Sequence, residues 1–208
     1  MELLRLEGVC AYIDGRPLFE GVDLRLSHGE KLVVTAPSGT GKTTLIRCIM
    51  GFVDFSGRIL VGGRELTPES APAVRREISY VPQNTAVFTG NTARCVREVL
   101  ESRHNRKRAD EALFKEVLEE LGPGQKALEK AWEELSGGER QRVLFALSVA
   151  LKRPLMLLDE PTSSLDEASA KKLAFTLKKL ECAALVVSHQ KSLWEEAGFK
   201  LWRAPWAR

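Results

Sequence analysis

The sequence lacks any apolar run that approaches the roughly 20 residues a membrane-spanning helix needs. Its first residues also lack the uninterrupted apolar core of a secretory signal peptide, because Glu2, Arg5 and Glu7 interrupt them. We therefore expect neither a spanning segment nor a leader of this kind in these 208 residues.

Cysteine is scarce and dispersed, and no two cysteines form a Cys-x-x-Cys pair. This spacing disfavours a disulfide framework and a metal site, and it favours core-filling thiols in a reducing cytoplasm at Cys10, Cys48, Cys95 and Cys182. The net charge of +3 says little about partners. A basic cluster at residues 103–108 could contact lipid head groups or nucleic acid, but a solvated helix start is favoured. No nucleic-acid partner is predicted.

A glycine-rich loop follows a strand-like run at residues 31–35 and precedes a helical pattern. Strand, loop and helix in this order are the setting of the Walker A phosphate loop. Backbone N–H groups of such a loop surround phosphate, Lys42 reaches the β- and γ-phosphates, and the Thr43 hydroxyl is a Mg²⁺ ligand. The predicted ATP-binding residues of the loop are Ser38, Gly39, Thr40, Gly41, Lys42, Thr43 and Thr44.

The loop departs from the usual pattern at Ala36, which stands where the first glycine is expected. Alanine fits without strain if φ is negative there and costs about 1 kcal/mol if φ is positive. The departure removes no phosphate ligand.

Two acids close a short apolar run at residues 154–158, which is typical of a strand buried on both faces of a parallel sheet. Asp159 at the end of that strand is predicted to hold Mg²⁺. Glu160 is predicted to polarise an attacking water. Acids at strand ends often only cap helices, so the prediction depends on the neighbouring phosphate loop.

A second glycine-rich element, Ser136-Gly137-Gly138, precedes a helical pattern over residues 139–151. Ser136 is a good N-cap, and a helix N-terminus with free N–H groups attracts phosphate. Taken alone, such a turn is more often an ordinary cap.

Together these motifs resemble the ATP-binding cassette (ABC) ATPases, the nucleotide-binding subunits of ABC transporters, over essentially the whole chain. The remaining family motifs occur in order: an aromatic residue before the phosphate loop, a Q-loop glutamine, the signature at residues 135–139, the D-loop at residues 163–166 and a switch histidine. The matching residues outside the signature are Tyr12, Gln83, Asp166 and His189.

The resemblance implies an α/β fold of the P-loop NTPase type with a mostly parallel central sheet. An antiparallel β subdomain is expected at the N-terminal side, and a helical subdomain that carries the signature is expected at about residues 92–151 of a single domain, 1–208. We call residues 92–151 the helical arm. The final tryptophans are expected to belong to a last strand and cap, with their packing left open.

The resemblance also assigns roles. Tyr12 would stack on adenine, Gln83 would sense Mg²⁺ and the attacking water, and His189 would lie near the γ-phosphate. The structural alternatives are a strand aromatic, a polar loop residue and a satisfied histidine. The family's ATP would be enclosed by a head-to-tail homodimer, in which Ser136, Gly137, Gly138 and Asp166 of one chain contribute to the partner's site.

The resemblance implies an ATPase that powers transport through a separate integral membrane subunit, at the cytoplasmic face of the membrane. That subunit would dock near Asn84–Arg97, with Val87, Phe88 and residues 89–92 as contacts, unless Phe88 only covers the hinge of the arm. The pattern Gln83-x-x-x-x-Phe88-x-Gly90-x-Thr92 resembles that of exporter cassettes, including the short ATPases of two-component exporters linked to iron efflux. Importer ATPases are the competing class. The alternative function is a non-transport ATPase clamp that drives a soluble assembly or a division or lipoprotein-release complex, whereas a phosphotransferase is disfavoured.

Overall fold

Two β-sheets and a set of helices form the fold in the computed structural model, which describes residues 1–37, 39–122 and 124–206. The strands are β1 Glu2–Ile13, β2 Arg16–Ser27, β3 Lys31–Thr35, β4 Ser56–Val61, β5 Arg64–Glu65, β6 Ile78–Val81, β7 Leu155–Asp159, β8 Ala183–Ser188 and β9 Lys200–Arg203. The helices are α1 Lys42–Ile49, α2 Ala71–Arg75, α3 Thr92–Leu100, α4 Glu111–Leu121, α5 Lys126–Glu129, α6 Gly137–Ala150, α7 Glu167–Lys179 and α8 Lys191–Glu196, with a short 3₁₀ turn at Trp132–Glu134.

The central sheet has the strand order β6-β7-β8-β3-β9, and every neighbouring pair in it is parallel. β3, β7 and β8 are buried at every residue, because one core covers each face of this sheet. This explains why their sequences are continuous apolar runs rather than alternating ones. The predicted parallel sheet is confirmed.

A second sheet of order β2-β1-β4-β5 is antiparallel throughout. Val22, Leu24 and Leu26 of β2 point into the core, whereas Asp23 and Arg25 between them are exposed. This alternation is what one buried face requires, and it confirms the antiparallel subdomain predicted from the sequence.

In the helical arm the described residues form helices and turns, apart from one isolated bridge between Asn91 and Ala131. Three of its helices begin at side-chain caps: Asn91, Asp110 and Ser136 each accept a hydrogen bond from a backbone N–H three residues on. α6 is buried almost throughout its second half, since the sheet and α4 cover it from different sides. No helix within the described ranges is long and apolar enough to cross a membrane.

Candidate functional site

The loops that follow the carboxyl ends of the parallel strands meet at one edge of the central sheet, where open α/β sheets bind ligands. β3 leads into the phosphate loop, β6 into Gln83, β7 into Glu160 and β8 into His189. A cavity of about 230 Å³ opens there. Its lining residues are Ile13, Leu18, Gly39, Gly41, Lys42, Thr43, Thr44, Gln83 and Glu160.

Lys42 brings a buried ammonium group to this cavity. Its Nζ donates hydrogen bonds to the carbonyl oxygens of Ala36 and Pro37, both at 2.9 Å, and lies 3.9 Å from Glu160 Oε1. Ala36 is not among the described residues with positive φ, so alanine fits this position without strain. An ammonium held at the base of a glycine-rich loop is suited to binding the phosphates of a nucleotide.

Gly41 marks the start of α1 and requires glycine for two reasons. Its φ is 93°, in the left-handed region, and a Cβ there would lie 2.7 Å from the side chain of Leu18. Leu18 therefore packs directly against the loop backbone, and β2 supports the phosphate loop from one side.

Asp159 is fully buried at the end of β7, and its two carboxylate oxygens differ. Oδ1 accepts a hydrogen bond from the Thr43 hydroxyl at 3.0 Å, whereas the buried Oδ2 has no hydrogen-bond partner among the described residues. Burial raises the pKa of the Asp159 carboxyl above its usual value. Burial, followed by the charge of Asp159, raises the pKa of the neighbouring Tyr80 to about 12. An orphaned carboxylate oxygen beside a hydroxyl is an oxygen donor set that suits Mg²⁺.

Glu160 and His189 form a hydrogen-bonded pair, with 3.0 Å between His189 Nδ1 and Glu160 Oε2. The His189 backbone N–H also donates to Oε2 at 3.4 Å. The backbone of Glu160 has a positive φ of 48°, unusual for a residue with a side chain, and its N–H donates to the Val187 carbonyl at 2.9 Å. These contacts hold the carboxylate at the cavity, and such unusual backbone geometry is common at active sites.

Sequence reasoning missed Gln141, which supports Glu160 from behind. Its amide Nε2 donates to the Glu160 carbonyl at 2.9 Å, and its Oε1 accepts from the Ser164 N–H at 3.3 Å. The side chain is completely buried, so it joins α6, Glu160 and the D-loop through satisfied hydrogen bonds. Gln141 stands three residues before Leu144 and seven before Ser148, on the buried face of α6. This helical spacing is the signal that could have revealed the buried position of Gln141.

The signature residues lie outside the lining of this cavity. Ser136 caps α6: its Oγ accepts from the Glu139 N–H at 3.1 Å, and its own N–H donates to the Glu139 carboxylate at 2.8 Å. Gly138 packs against the D-loop, where an added Cβ would lie 2.8 Å from the Ser164 carbonyl oxygen. The loop and the signature of one chain therefore do not surround the same cavity.

The other predicted site residues also divide into a group at the cavity and a group outside its lining. Gly39, Gly41, Lys42, Thr43, Thr44, Gln83 and Glu160 come together at the cavity, and Asp159 and His189 join them through hydrogen bonds with Thr43 and Glu160. Asp166 caps α7 by accepting from the Ser169 N–H at 2.9 Å, and the Tyr12 hydroxyl donates to Glu20 at 3.0 Å. Thr40, Tyr12, Ser136, Gly137, Gly138 and Asp166 are not among the described lining residues, and Ser38 lies outside the described residues.

Phe88 packs inward. Its ring meets that of the fully buried Trp132 edge-on at 5.0 Å, and the Trp132 indole donates to the Thr85 carbonyl at 3.0 Å. Val87 beside it is 45% exposed. Phe88 is half-buried against the arm, as the structural alternative expects, and Val87 presents exposed apolar surface beside it.

A family described as "ABC transporter" matches residues 19–163 of the chain, which is more than half of its length. Among curated relatives, the Fe(3+) ions import ATP-binding protein FbpC of Yersinia enterocolitica is 36% identical over 188 residues, covering 84% of this chain and 52% of the relative. The ATP-dependent lipid A-core flippase of Cupriavidus pinatubonensis is 32% identical, and the match covers 88% of this chain and 32% of the flippase. The chain thus spans about half the length, or less, of these relatives.

Solved structures share the fold. A bacterial Atm1-family ABC exporter with ATP bound superposes with a TM-score of 0.85 at 21% identity, over the whole of this chain and 38% of the exporter chain. The cbiO1 protein of Clostridium perfringens, part of the ABC transporter complex cbiONQ, superposes with a TM-score of 0.75 at 23% identity. That match covers 94% of this chain and 82% of the cbiO1 chain. At these identities the likeness concerns the fold alone, and it confirms the fold class predicted from the sequence.

Proposed function

Because this chain belongs to the ABC transporter family, we propose that it binds ATP with Mg²⁺ and hydrolyses it to ADP and phosphate to power transport through a separate membrane subunit. The observation that carries the proposal is the convergence of Lys42, Thr43 and Glu160 on one cavity, beside an Asp159 oxygen that has no hydrogen-bond partner among the described residues. A cation for phosphates, two oxygen donors for a metal and a carboxylate for water are the parts that phosphoryl transfer needs.

The proposed reaction is in-line attack of water on the γ-phosphate. Lys42 neutralises phosphate charge, and the loop N–H groups hold the β-phosphate. Glu160 accepts the proton of the attacking water at its carboxylate, while His189, 3.0 Å away, holds that carboxylate in place. Gln83 lines the same cavity and is suited to orient the water. Positioning and electrostatics supply most of the rate in such transfers.

Thr43 and Asp159 would hold Mg²⁺, with Gln83 as the third proposed contributor. Bound Mg²⁺ would neutralise charge on the β- and γ-phosphates. The fit follows from the donors present, since Asp159 Oδ2 is buried without a partner in the described chain and Thr43 Oγ1 stands beside the other oxygen.

We further propose that two copies of the chain close head to tail around two ATP molecules. The reason is that Ser136, Gly137 and Gly138 are not among the residues described at their own chain's cavity, although they start a capped helix suited to phosphate. A two-fold arrangement would place each signature, with Asp166 of the D-loop near it, on the partner's nucleotide. Tyr12, half exposed close to Ile13 of the cavity, is proposed to stack on adenine.

Two substitutions test this proposal. Glu160→Gln should lower phosphate release roughly 10²-fold or more, because the proton acceptor is lost while MgATP binding remains. In saturating MgATP this variant should be a dimer by light scattering. Lys42→Ala should abolish MgATP binding in calorimetry. A Glu160→Gln protein that hydrolyses ATP normally, or stays monomeric in MgATP, would contradict the proposal.

Transport is proposed over the clamp function because both curated relatives described above carry transport in their names, one as an importer and one as a flippase. The chain would act at the cytoplasmic face of the membrane, with the membrane subunit docked near Asn84–Arg97 and no nucleic-acid partner. Affinity-tagged Glu160→Gln protein, isolated with MgATP from solubilised membranes of its native host, should retain a polytopic membrane protein identifiable by mass spectrometry. Recovery of a soluble partner alone would favour the clamp.

A further inference from the structure

Trp206 contacts the phosphate loop from outside the cavity. Its indole Nε1 donates a hydrogen bond to the Thr40 carbonyl at 2.7 Å. The ring packs against Phe19 at 4.9 Å between centroids and against Trp202 at 5.5 Å. A residue 166 positions away in the sequence therefore holds the backbone of the loop.

The strand before Trp206 fixes its position relative to the loop. β9 pairs with β3, the strand that leads into the loop, and Arg203 lies opposite Thr35. One residue further on, the Ala204 N–H donates to the Thr35 carbonyl at 3.1 Å. Trp206 follows two residues later, so its reach to Thr40 is set by strand pairing rather than by a free tail.

The hydrogen bond has a consequence on the opposite side of the loop. In a planar trans peptide, the carbonyl of one residue and the N–H of the next point in opposite directions. When Trp206 holds the Thr40 carbonyl outward, the N–H of Gly41 must point the other way, and Gly41 lines the cavity.

Without the hydrogen bond from Trp206, the Thr40–Gly41 peptide would be freer to rotate. Gly39 and Gly41 flank Thr40 with positive φ values of 78° and 93°, and glycine readily adopts other backbone conformations. The Thr40 side chain helps by donating to the Pro37 carbonyl at 2.9 Å, and Leu18 covers Gly41. Trp206 supplies the contact that holds the carbonyl of this peptide itself.

We propose that Trp206 is a positioning residue for nucleotide binding: it orients the Thr40–Gly41 peptide so that the Gly41 N–H meets the β-phosphate of the nucleotide. This inference rests on the proposed function, because it assumes a nucleotide in the cavity. It applies equally to ADP and ATP, since both carry a β-phosphate.

The test compares Trp206→Phe with Trp202→Phe by calorimetric titration of MgADP. Phenylalanine at 206 keeps an aromatic ring against Phe19 but removes the donor, and we expect MgADP to bind roughly fivefold more weakly, the scale of one hydrogen bond. Trp202→Phe removes a tryptophan from the same cluster without touching the loop, and its affinity should stay within twofold of that of the unmodified chain.

A second measurement reports on the Thr40–Gly41 peptide itself. In ¹H–¹⁵N spectra of the unmodified chain, the Trp206 indole N–H should exchange slowly with solvent, and the Gly41 amide signal should move on addition of MgADP. In Trp206→Phe that movement should shrink, whereas loss of packing alone would leave it unchanged.

The outcomes separate the two proposals. If the unmodified chain binds no MgADP, the proposed function fails. If it binds MgADP and Trp206→Phe binds equally well, or the Trp206 indole N–H exchanges rapidly, the proposed function stands and the positioning role is overturned.

Discussion

At the scale of single residues, the metal-binding role proposed for Asp159 comes with a cost in stability. Its carboxylate is fully buried, one oxygen is unpaired within the described chain, and burial raises its pKa. A raised pKa means that the folded state binds a proton more readily than the unfolded state does. The ionised form of Asp159 therefore destabilises the nucleotide-free fold at neutral pH.

Asp159→Asn should consequently raise the melting temperature of the nucleotide-free protein by a few degrees at pH 7, because a buried charge is removed. The same variant should lose the additional stabilisation that Mg²⁺ gives in the presence of ATP. Thermal unfolding with and without MgATP measures both effects.

The destabilisation by Asp159 depends on pH with a defined sign. The destabilising effect begins to fall as the pH drops through the raised pKa of Asp159, and it is gone below the ordinary pKa that the carboxyl has in the unfolded chain. The difference in melting temperature between Asp159→Asn and the unmodified chain should therefore shrink on acidification. A difference that grows at acidic pH would show that this account of Asp159 is wrong.

At the scale of elements, the start of α6 is packed against the D-loop through glycine. A Cβ on Gly138 would lie 2.8 Å from the Ser164 carbonyl oxygen, whereas a Cβ on Gly137 would lie 3.4 Å from the Ser164 Cβ, which is ordinary contact. The buried amide of Gln141 binds the same D-loop one turn later. The signature helix, the D-loop and Glu160 are thus packed as one unit.

Gly138→Ala should destabilise the protein by about 1–3 kcal/mol, because the methyl group forces the D-loop backbone away from α6. Gly137→Ala is the matched control and should be neutral or slightly stabilising, since alanine has the higher helix propensity. Denaturant unfolding of both variants measures the free energy of unfolding. Equal stability of the two would exclude a close approach of the D-loop at Gly138.

At the scale of the whole molecule, the segment after Gln83 connects the site to the surface proposed for the membrane subunit. Phe88 is turned inward against Trp132, while Val87 is exposed. The two neighbouring residues should therefore respond differently to the same substitution.

Val87→Asp should reduce association with membranes that contain the partner subunit and leave basal ATPase activity and melting temperature unchanged. Phe88→Asp should lower the melting temperature as well, because it places a charge against a buried tryptophan. Phe175→Asp, at an exposed aromatic on α7, is the control for a new surface charge. Co-sedimentation with native membranes and phosphate release separate these effects. Unchanged sedimentation of Val87→Asp would remove Val87 from the docking surface.

Much of the fold follows from local patterns. The apolar runs of β3, β7 and β8, the alternation in β2 and the Ser136 cap were all predictable, because strand burial and helix capping depend on residues close in sequence. The parallel sheet also explains why the phosphate loop and Glu160 meet, since parallel strands carry their carboxyl ends to one edge.

By itself, then, the sequence determined which residues are candidates for the chemistry of the site and on which elements they stand. Only the tertiary structure decided what holds those residues in place: Gln141 behind Glu160, Trp206 on the phosphate loop and Phe88 against Trp132. The physical reason is separation along the chain. A hydrogen bond between Trp206 and Thr40 spans 166 residues, and no periodicity or spacing encodes a contact that exists only after β9 has paired with β3.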